Sequence, residues 1–152
     1  MSTTTTMAEL NGLTGTDLGT SDWYEVTQEH VNLFADATSD HQWIHVDVER
    51  ATKDSPFGGP IAHGYLTLSL LVPLLEQVLT VSDTVMGVNY GLNKVRFPSP
   101  VPVGSRVRLT ATLANVDEIT GGKQLTFSCV VEREGGDKPV CVAEPVYRYY
   151  GG

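Results

Sequence analysis

The segment 39–47 reads Ser-Asp-His-Gln-Trp-Ile-His-Val-Asp and holds two of the chain's four histidines. Within it, Asp40 and His45 supply a carboxylate and an imidazole five residues apart. In a loop that follows a helix, both groups could point at one water molecule and act as general base and general acid near neutral pH. The spacing alone fits equally well a structural pair, in which Asp40 caps a helix and His45 is satisfied in the core.

Two other kinds of chemistry are weaker interpretations of the histidines. His41 and His45 could join Asp40 as metal ligands, but zinc usually takes three or four converging nitrogen, sulfur or oxygen ligands. Nothing in the pattern fixes that geometry, so no metal is expected. His63 fits a structural residue at the start of a helix better than it fits a second base.

Turn and capping signals predict the elements around this segment. Residues 23–26 alternate well enough for a short strand, and Thr27 is a suitable N-cap for a helix that ends near Ser39. A loop should then run from residue 40 to residue 46. Asp47 can cap a further short helix.

A strongly apolar helix is predicted from His63 onward. Leucines and valines occupy two sides of the helical pattern between Leu66 and Val78, so this helix should be buried nearly all round. Pro73 lies inside the run and removes one helical hydrogen bond, which predicts a kink or an early end.

The second half of the chain changes to the two-residue period of β-strands. Strands are predicted at residues 84–97, 105–119, 124–134 and 139–149. Glycine pairs at 121–122 and 135–136 lie between successive runs as hairpin turns. A long buried helix followed by a meander of antiparallel strands is typical of an α+β domain whose helix lies against a curved sheet.

Length and composition indicate one globular domain. The chain has 152 residues, of which 41% are hydrophobic and 18% are charged, enough for a core without metals or disulfides. Residues 1–20 are rich in Thr and Gly and show no sustained period, so we expect a flexible tail there. The domain should therefore span residues 21–152.

Charge and hydropathy disfavour several partners. Ten Lys and Arg residues against eighteen acidic ones give a net charge of −8, which disfavours nucleic acid as a partner. The apolar run 66–79 is too short and too polar to span a bilayer, and the first residues lack the features of a secretory signal. Cys129 and Cys141 are read as buried free thiols rather than a disulfide, which predicts a cytoplasmic protein.

Residues 27–68 and 89–104 resemble the MaoC-like dehydratase family. The likeness is closer still to its (R)-specific enoyl-CoA hydratase (hydratase 2) members and to its nodulation protein N-like branch. The family motif runs Asp-x-Asn-Pro-Leu/Ile-His-x-Asp, and its matched positions here are Asp40, Ile44, His45 and Asp47. Gln42 and Trp43 replace Asn and Pro, a variant similar to the nodulation protein N-like branch, and the family's His-Gly step is matched by His63 and Gly64.

The resemblance implies a single hot-dog domain, in which a curved antiparallel β-sheet wraps a long central helix. It implies the reversible addition of water to a trans-2-enoyl-CoA to give the (R)-3-hydroxyacyl-CoA, with no cofactor. By the family pattern, Asp40 and His45 hold and activate the water. The backbone N–H of Gly64 at the start of the central helix suits the developing enolate oxygen, because it has no partner within its own helix.

Two alternative functions stay open on the sequence. An acyl-CoA thioesterase is the first, because the hot-dog fold also hosts thioester hydrolysis and a fold does not settle a function. A non-catalytic acyl-binding subunit is the second, and it ranks lower because both catalytic residues of the family are present.

The candidate substrate contacts follow from the same resemblance. Gln42 is one methylene longer than Asn and should affect substrate preference. Four residues follow one another at three- and four-residue steps along the central helix: Leu68, Leu71, Val72 and Leu75. They fit the lining of an acyl tunnel and a plain hydrophobic core equally well. Lys94 and Arg96 share one strand face and either meet the phosphates of coenzyme A or are simply solvated. The thioester carrier is coenzyme A or an acyl carrier protein.

The expected sheet also bears on assembly. A lone hot-dog sheet leaves a long edge strand with unpaired backbone groups, which proteins normally cover. We therefore expect a two-fold homodimer with acyl sites near the shared interface.

Overall fold

The computed structural model describes residues 2–151, which form short helices packed on an antiparallel sheet. The helices are α1 (Gln28–Thr38), α2 (Trp43–Val46), α3 (Val48–Asp54), α4 (Gly64–Ser69) and α5 (Leu71–Val78), preceded by a 3-10 helix at Met7–Leu13. The strands are β1 (Thr3–Thr5), β2 (Asp17–Thr20), β3 (Tyr24–Glu25), β4 (Leu79–Val81), β5 (Thr84–Arg96), β6 (Arg106–Ile119), β7 (Gly122–Arg133) and β8 (Cys141–Gly151). This arrangement confirms the predicted α+β class.

The main sheet has six strands in the order β2-β6-β7-β8-β5, with β3 also paired to β6. β6, β7 and β8 form the predicted meander, but β5 pairs with β8 and not with β6, so the meander prediction is wrong for β5. The connection from β5 to β6 carries Pro98, Pro100 and Pro102. Because proline lacks a backbone N–H and fixes φ, this segment does not form a tight hairpin.

The core lies between α5 and the inner face of the sheet. Every second residue is buried over residues 107–113 of β6 and 125–131 of β7, because side chains alternate between the faces of a pleated strand. These residues include Val107, Leu109, Ala111 and Leu113 of β6 and Leu125, Phe127 and Cys129 of β7. The helix supplies Leu71, Leu74 and Val78 to the same cluster.

The predicted central helix is broken into α4 and α5 at Leu70. The cause is Pro73, whose ring clashes with the carbonyl four residues earlier and offers it no N–H. That carbonyl belongs to Ser69, the last residue of α4. The kink expected at this proline is therefore confirmed. No helix within residues 2–151 has both the length and the apolar character needed to cross a membrane.

The N-terminal segment is packed on the sheet rather than frayed, so the expectation of a flexible tail over residues 1–20 is corrected for residues 2–20. Met7, Leu10 and Leu18 are at most 4% exposed. β2 pairs with β6, and the backbone N–H of Met7 donates to Oδ1 of Asp83 at 2.8 Å. The sequence pattern missed this because a 3-10 helix and two short strands leave no sustained period. Met1, also assigned to the tail, lies outside the described residues.

The caps that position the candidate site are formed as predicted. The hydroxyl of Thr27 accepts from the backbone N–H of His30 at the start of α1, and Asp47 Oδ1 accepts from that of Arg50 at the start of α3. Ser39 ends α1 in the left-handed region with φ of 63°. The segment 40–46 is not wholly a loop, however, because its last four residues form α2.

Candidate active site

Asp40 and His45, which lie in one short segment, come together with His63 from a later part of the chain. A carboxylate oxygen of Asp40 and one ring nitrogen of each histidine all lie within 4.8 Å of one another. His45 and His63 are 6% and 2% exposed, whereas Asp40 is exposed. The fold therefore places an accessible carboxylate beside two buried imidazoles.

His45 is held in one orientation by backbone contacts. Its Nδ1 lies 2.6 Å from the carbonyl oxygen of Ile61. A carbonyl oxygen only accepts, so Nδ1 carries the proton and the Nε2 lone pair is left available. The backbone carbonyl of His45 in turn accepts from Nε2 of Gln28 on α1, at 2.8 Å. Residues outside the motif thus fix the tautomer of the ring and hold the main chain of His45.

The pKa of His45 is lowered from its ordinary value of 6.5, chiefly because burial removes solvation from the charged imidazolium. The hydrogen bond to the Ile61 carbonyl raises the pKa, the neighbouring His63 lowers it, and Asp40 raises it. Burial dominates, so His45 is a neutral base at physiological pH.

Asp40 sits in the loop between α1 and α2 with its carboxylate lightly engaged. Its Oδ1 accepts from the backbone N–H of Gln42 at 3.4 Å, near the limit for a hydrogen bond. Its backbone carbonyl accepts from Nε2 of His63 at 2.9 Å. The main chain of Asp40 is therefore anchored while its carboxylate can take another donor, such as water.

One water molecule can serve both catalytic candidates. A water that hydrogen-bonds to two groups spans up to about 5.5 Å between them. The separation between Asp40 and His45 is below that limit. The predicted pair is thus brought together, although His45 lies on the short helix α2 and not in a loop.

Gly64 is the first residue of α4, where a backbone N–H has no acceptor within its own helix. A Cβ at this position would lie 3.1 Å from the ring of Phe97, closer than most real contacts. The two residues also line a cavity of about 430 Å³ with Ile61 and Thr67. Glycine is therefore needed for close approach between the helix start and Phe97, a partner that the sequence did not indicate.

The four predicted acyl-pocket residues border two adjoining cavities between the helices and the sheet. Leu68, Leu71 and Val72 line one of about 310 Å³. Val72 also lines a second cavity of about 380 Å³ together with Leu75. Sequence reasoning missed Asn89 and Tyr147, which line both cavities. No local signal marks them, because only the pairing of β5 with β8 brings them to the helix.

The remaining predicted contacts lie on the surface. Lys94 and Arg96 are exposed near the end of β5, where Nη1 of Arg96 donates to the carbonyl of Val95 at 2.7 Å. Phe97, whose ring lies 3.1 Å from where a Cβ of Gly64 would be, comes directly after these two cations along the chain. Gln42 is exposed, and its backbone carbonyl accepts from the N–H of His45 at 3.0 Å.

Asp40, His45 and His63 lie close enough together to share an ion, a set that differs from the Asp40, His41 and His45 set considered from the sequence. The rings of His45 and His63 are stacked, with centroids 3.9 Å apart and planes inclined by 23°. One nitrogen of each ring faces a backbone carbonyl, which leaves the other nitrogen of each ring beside the Asp40 carboxylate. His41, the other metal candidate, is exposed and pairs with Asp36 at 2.8 Å.

Known proteins resemble this chain along most of its length. The family pattern described as "MaoC like domain" matches residues 9–134. A 3-hydroxyacyl-thioester dehydratase Z from Mycobacterium tuberculosis is 56% identical over 150 residues, which cover 98% of this chain and 99% of that protein. Nodulation protein N from Rhizobium leguminosarum bv. viciae is 46% identical over 140 residues, which cover 90% of this chain and 86% of that protein.

The solved structures identify the architecture. The (R)-hydratase from A. caviae involved in PHA biosynthesis has a TM-score of 0.69 and 25% identity, covering 88% of this chain and 94% of that one. The helix-on-sheet arrangement is therefore the hot-dog fold that the sequence resemblance implied.

Proposed function

Because this chain belongs to the MaoC-like dehydratase family and is a hydro-lyase, we propose that it is an (R)-specific enoyl-CoA hydratase. It adds water reversibly to a trans-2-enoyl-CoA and gives the (R)-3-hydroxyacyl-CoA. The observation that carries the proposal is the Asp40 carboxylate within 4.8 Å of a His45 ring nitrogen, with the proton of His45 assigned to Nδ1 by Ile61. The (R) configuration is supported by the likeness to the (R)-hydratase from A. caviae.

In the proposed reaction, His45 is the base. Its Nε2 takes a proton from the water held by Asp40 while the hydroxyl forms a bond to C3 of the enoyl group. The electrons of the C2–C3 double bond move onto the thioester as an enolate. The imidazolium then returns the proton to C2, so that His45 ends neutral and the substrate has gained one water.

Each polar group has a distinct part in this reaction. The carboxylate of Asp40 orients the water and stabilises the transient imidazolium by opposite charge. The Ile61 carbonyl keeps Nδ1 protonated, so the basic lone pair points away from it. The N–H of Gly64 donates to the enolate oxygen, a contact typically worth about 3 kcal/mol of transition-state stabilisation.

The acyl chain runs along the cavities lined by Leu68, Leu71, Val72 and Leu75. Leu68 lies on α4, the helix that starts at Gly64, and the other three lie on α5, which follows it. Lys94 and Arg96, exposed at the end of β5, then meet the phosphates of the carrier. This placement is supported by their closeness along the chain to Phe97, which contacts Gly64. The dehydratase name of the mycobacterial relative supports the reverse, water-releasing reaction on the same type of thioester.

We place the enzyme in a homodimer formed through β5. This strand lies at the edge of the sheet, and its exposed apolar side chains include Val85 at 86%, Tyr90 at 56% and Met86 at 52%. A second copy would pair the edge and cover these side chains. It would also close the cavities on their β5 side, since Gly87 and Asn89 are among their lining residues.

A cytoplasmic location is part of this proposal. Cys129 and Cys141 are both free and buried, as the sequence predicted. Burial raises the pKa of the Cys129 thiol to about 12 and that of Cys141 to about 11. Such thiols stay protonated and unreactive, and unpaired buried cysteines are typical of a reducing compartment.

The test uses the full chain with crotonyl-CoA. Hydration lowers the absorbance of the conjugated enone without releasing thiol, and chiral analysis of the product should give the (R)-3-hydroxy isomer. Thiol release without loss of the enone would instead identify a thioesterase. An unchanged enone absorbance and no thiol release, with retained binding of acyl-CoA, would identify a non-catalytic subunit.

A further inference from the structure

His63 is a buried polar side chain to which the proposed reaction assigns no part. It is 2% exposed and precedes α4. On one side its ring lies against Phe34 of α1, at 4.9 Å between centroids, and on the other it stacks on His45 at 3.9 Å. A histidine buried in this way is costly unless its contacts do something that an apolar residue cannot.

Two contacts tie His63 to both members of the catalytic pair. Its Nε2 lies 2.9 Å from the backbone carbonyl of Asp40, so Nε2 must donate and the proton resides there. Its ring face covers that of His45, with planes inclined by 23°. The two imidazoles therefore carry their protons on opposite nitrogens, Nε2 in His63 and Nδ1 in His45.

We propose that His63 is a positioning residue with two separable parts: its N–H fixes the main chain of Asp40, and its ring covers one face of the His45 imidazole and shields it from solvent. This inference rests on the proposed hydratase function. The inference goes beyond that function because it gives His63, the residue before α4, a part in controlling the catalytic base His45 and not only in the fold.

The surroundings of His45 support the second part. The titratable groups that act on it are Asp40 before α2 and His63 before α4. From α1 its neighbour is the uncharged Gln28. Burial is the largest cause that lowers the pKa of His45, and His63 lowers it further. The stacked ring contributes to that burial because it occupies one face of the imidazole.

Two substitutions separate the parts. His63→Phe keeps a ring of similar size but removes the donor to the Asp40 carbonyl, so the loop should shift and kcat should fall by about 10- to 100-fold. The low pKa of His45 should be kept, because its ring stays covered. His63→Gln keeps a donor of matched reach and removes the ring. Its kcat at high pH should stay near wild type, while the acid limb of kcat/KM moves up toward pH 6.5.

His30→Gln is the matched control. His30 is an exposed histidine of α1 whose ring stacks on Tyr24, at 5.9 Å between centroids, away from the catalytic pair. This change should leave kcat and the pH profile as in the wild type. Melting temperatures of all three variants are measured as well. A lower kcat at an unchanged melting temperature then reports misplaced catalytic residues and not a loss of fold.

Nitrogen-detected NMR of the histidine rings provides a readout that needs neither a substrate nor a variant. In the wild-type protein His45 should titrate as an Nδ1–H tautomer with its midpoint below 6.5, and His63 should show a proton on Nε2. The reversed tautomer at His63 would overturn the proposal. So would equal loss of kcat in both variants with an unshifted acid limb, because that is the signature of a purely structural residue. Failure of the wild type to hydrate crotonyl-CoA would refute the proposed function but leave the NMR result standing.

Discussion

Leu74 and Leu75 are consecutive residues of α5, but of the two only Leu75 lines the cavity that α5 shares with β5 and β8. Both are buried, at 0% and 3% exposure. Truncation of either to alanine should lower the free energy of unfolding by about 2–5 kcal/mol. Leu75→Ala alone should also enlarge the cavity, and so shift preference toward longer enoyl-CoAs while crotonyl-CoA turnover is largely kept.

Activity across a ladder of enoyl-CoA chain lengths checks this, with urea unfolding of both variants. Leu74→Ala is the control for stability loss without a change of the cavity. If both variants lose stability and neither changes the chain-length profile, Leu75 is plain core.

The catalytic pair predicts a non-additive set of variants. Asp40→Asn keeps the shape of the side chain but removes its negative charge, and His45→Gln removes the base. Each should lower kcat by at least about 100-fold. Since both groups serve one water, the double variant should be hardly worse than either single one.

Rates of crotonyl-CoA hydration measure the effects on kcat, and melting curves measure the effects on stability. Asp36→Asn is the matched control, because Asp36 is an exposed aspartate whose partner is His41. A double variant that hydrates crotonyl-CoA near the wild-type rate would refute the mechanism.

The environment of His45 predicts how activity depends on pH. Its neutral form is the base, and burial lowers its pKa below the ordinary 6.5. Activity should therefore persist through pH 6.5 and fall only as the pH drops through the lower value, where His45 becomes protonated. The logarithm of kcat/KM against pH reports this midpoint for the free enzyme. A midpoint at or above 6.5 would contradict the desolvated base.

Gly64 and Phe97 should be coupled. In Gly64→Ala the new Cβ would lie 3.1 Å from the ring, so the helix start or the ring must move and kcat/KM should fall by up to about 100-fold. Phe97→Leu in the same chain should recover part of the loss, because the smaller side chain leaves room. Gly12→Ala is the control, since a Cβ there meets nothing within 4 Å. Equal activity in the single and the double variant would argue against this contact.

The assembly proposal is checked by a charge placed on β5. Val88 is 39% exposed on this strand, and Val88→Glu should give a monomeric mass in light scattering, because a buried carboxylate opposes pairing of two copies. Leu33→Glu, at an exposed leucine of α1, is the matched control and should remain dimeric. A monomeric wild type at micromolar concentration would refute the dimer.

Local chemistry allowed much of this molecule to be predicted from its sequence. Thr27 and Asp47 cap their helices as expected, because a cap is an interaction between residues three apart. The break ahead of Pro73 follows from the proline ring itself. The segment that holds Asp40 and His45 was recognisable because both residues lie in one short motif.

Tertiary packing decided what no local pattern holds. His63 lies beside His45 across 18 residues of sequence. The Ile61 carbonyl that sets the tautomer of His45 is 16 residues away. The pairing of β5 with β8 depends on a proline-rich connection that does not form a hairpin, and this pairing brings Tyr147 to the cavities. The sequence by itself therefore determined which groups could do chemistry and where helices begin. The protonation state of the base and the shape of the acyl cavities depend on contacts that exist only when distant segments are buried together.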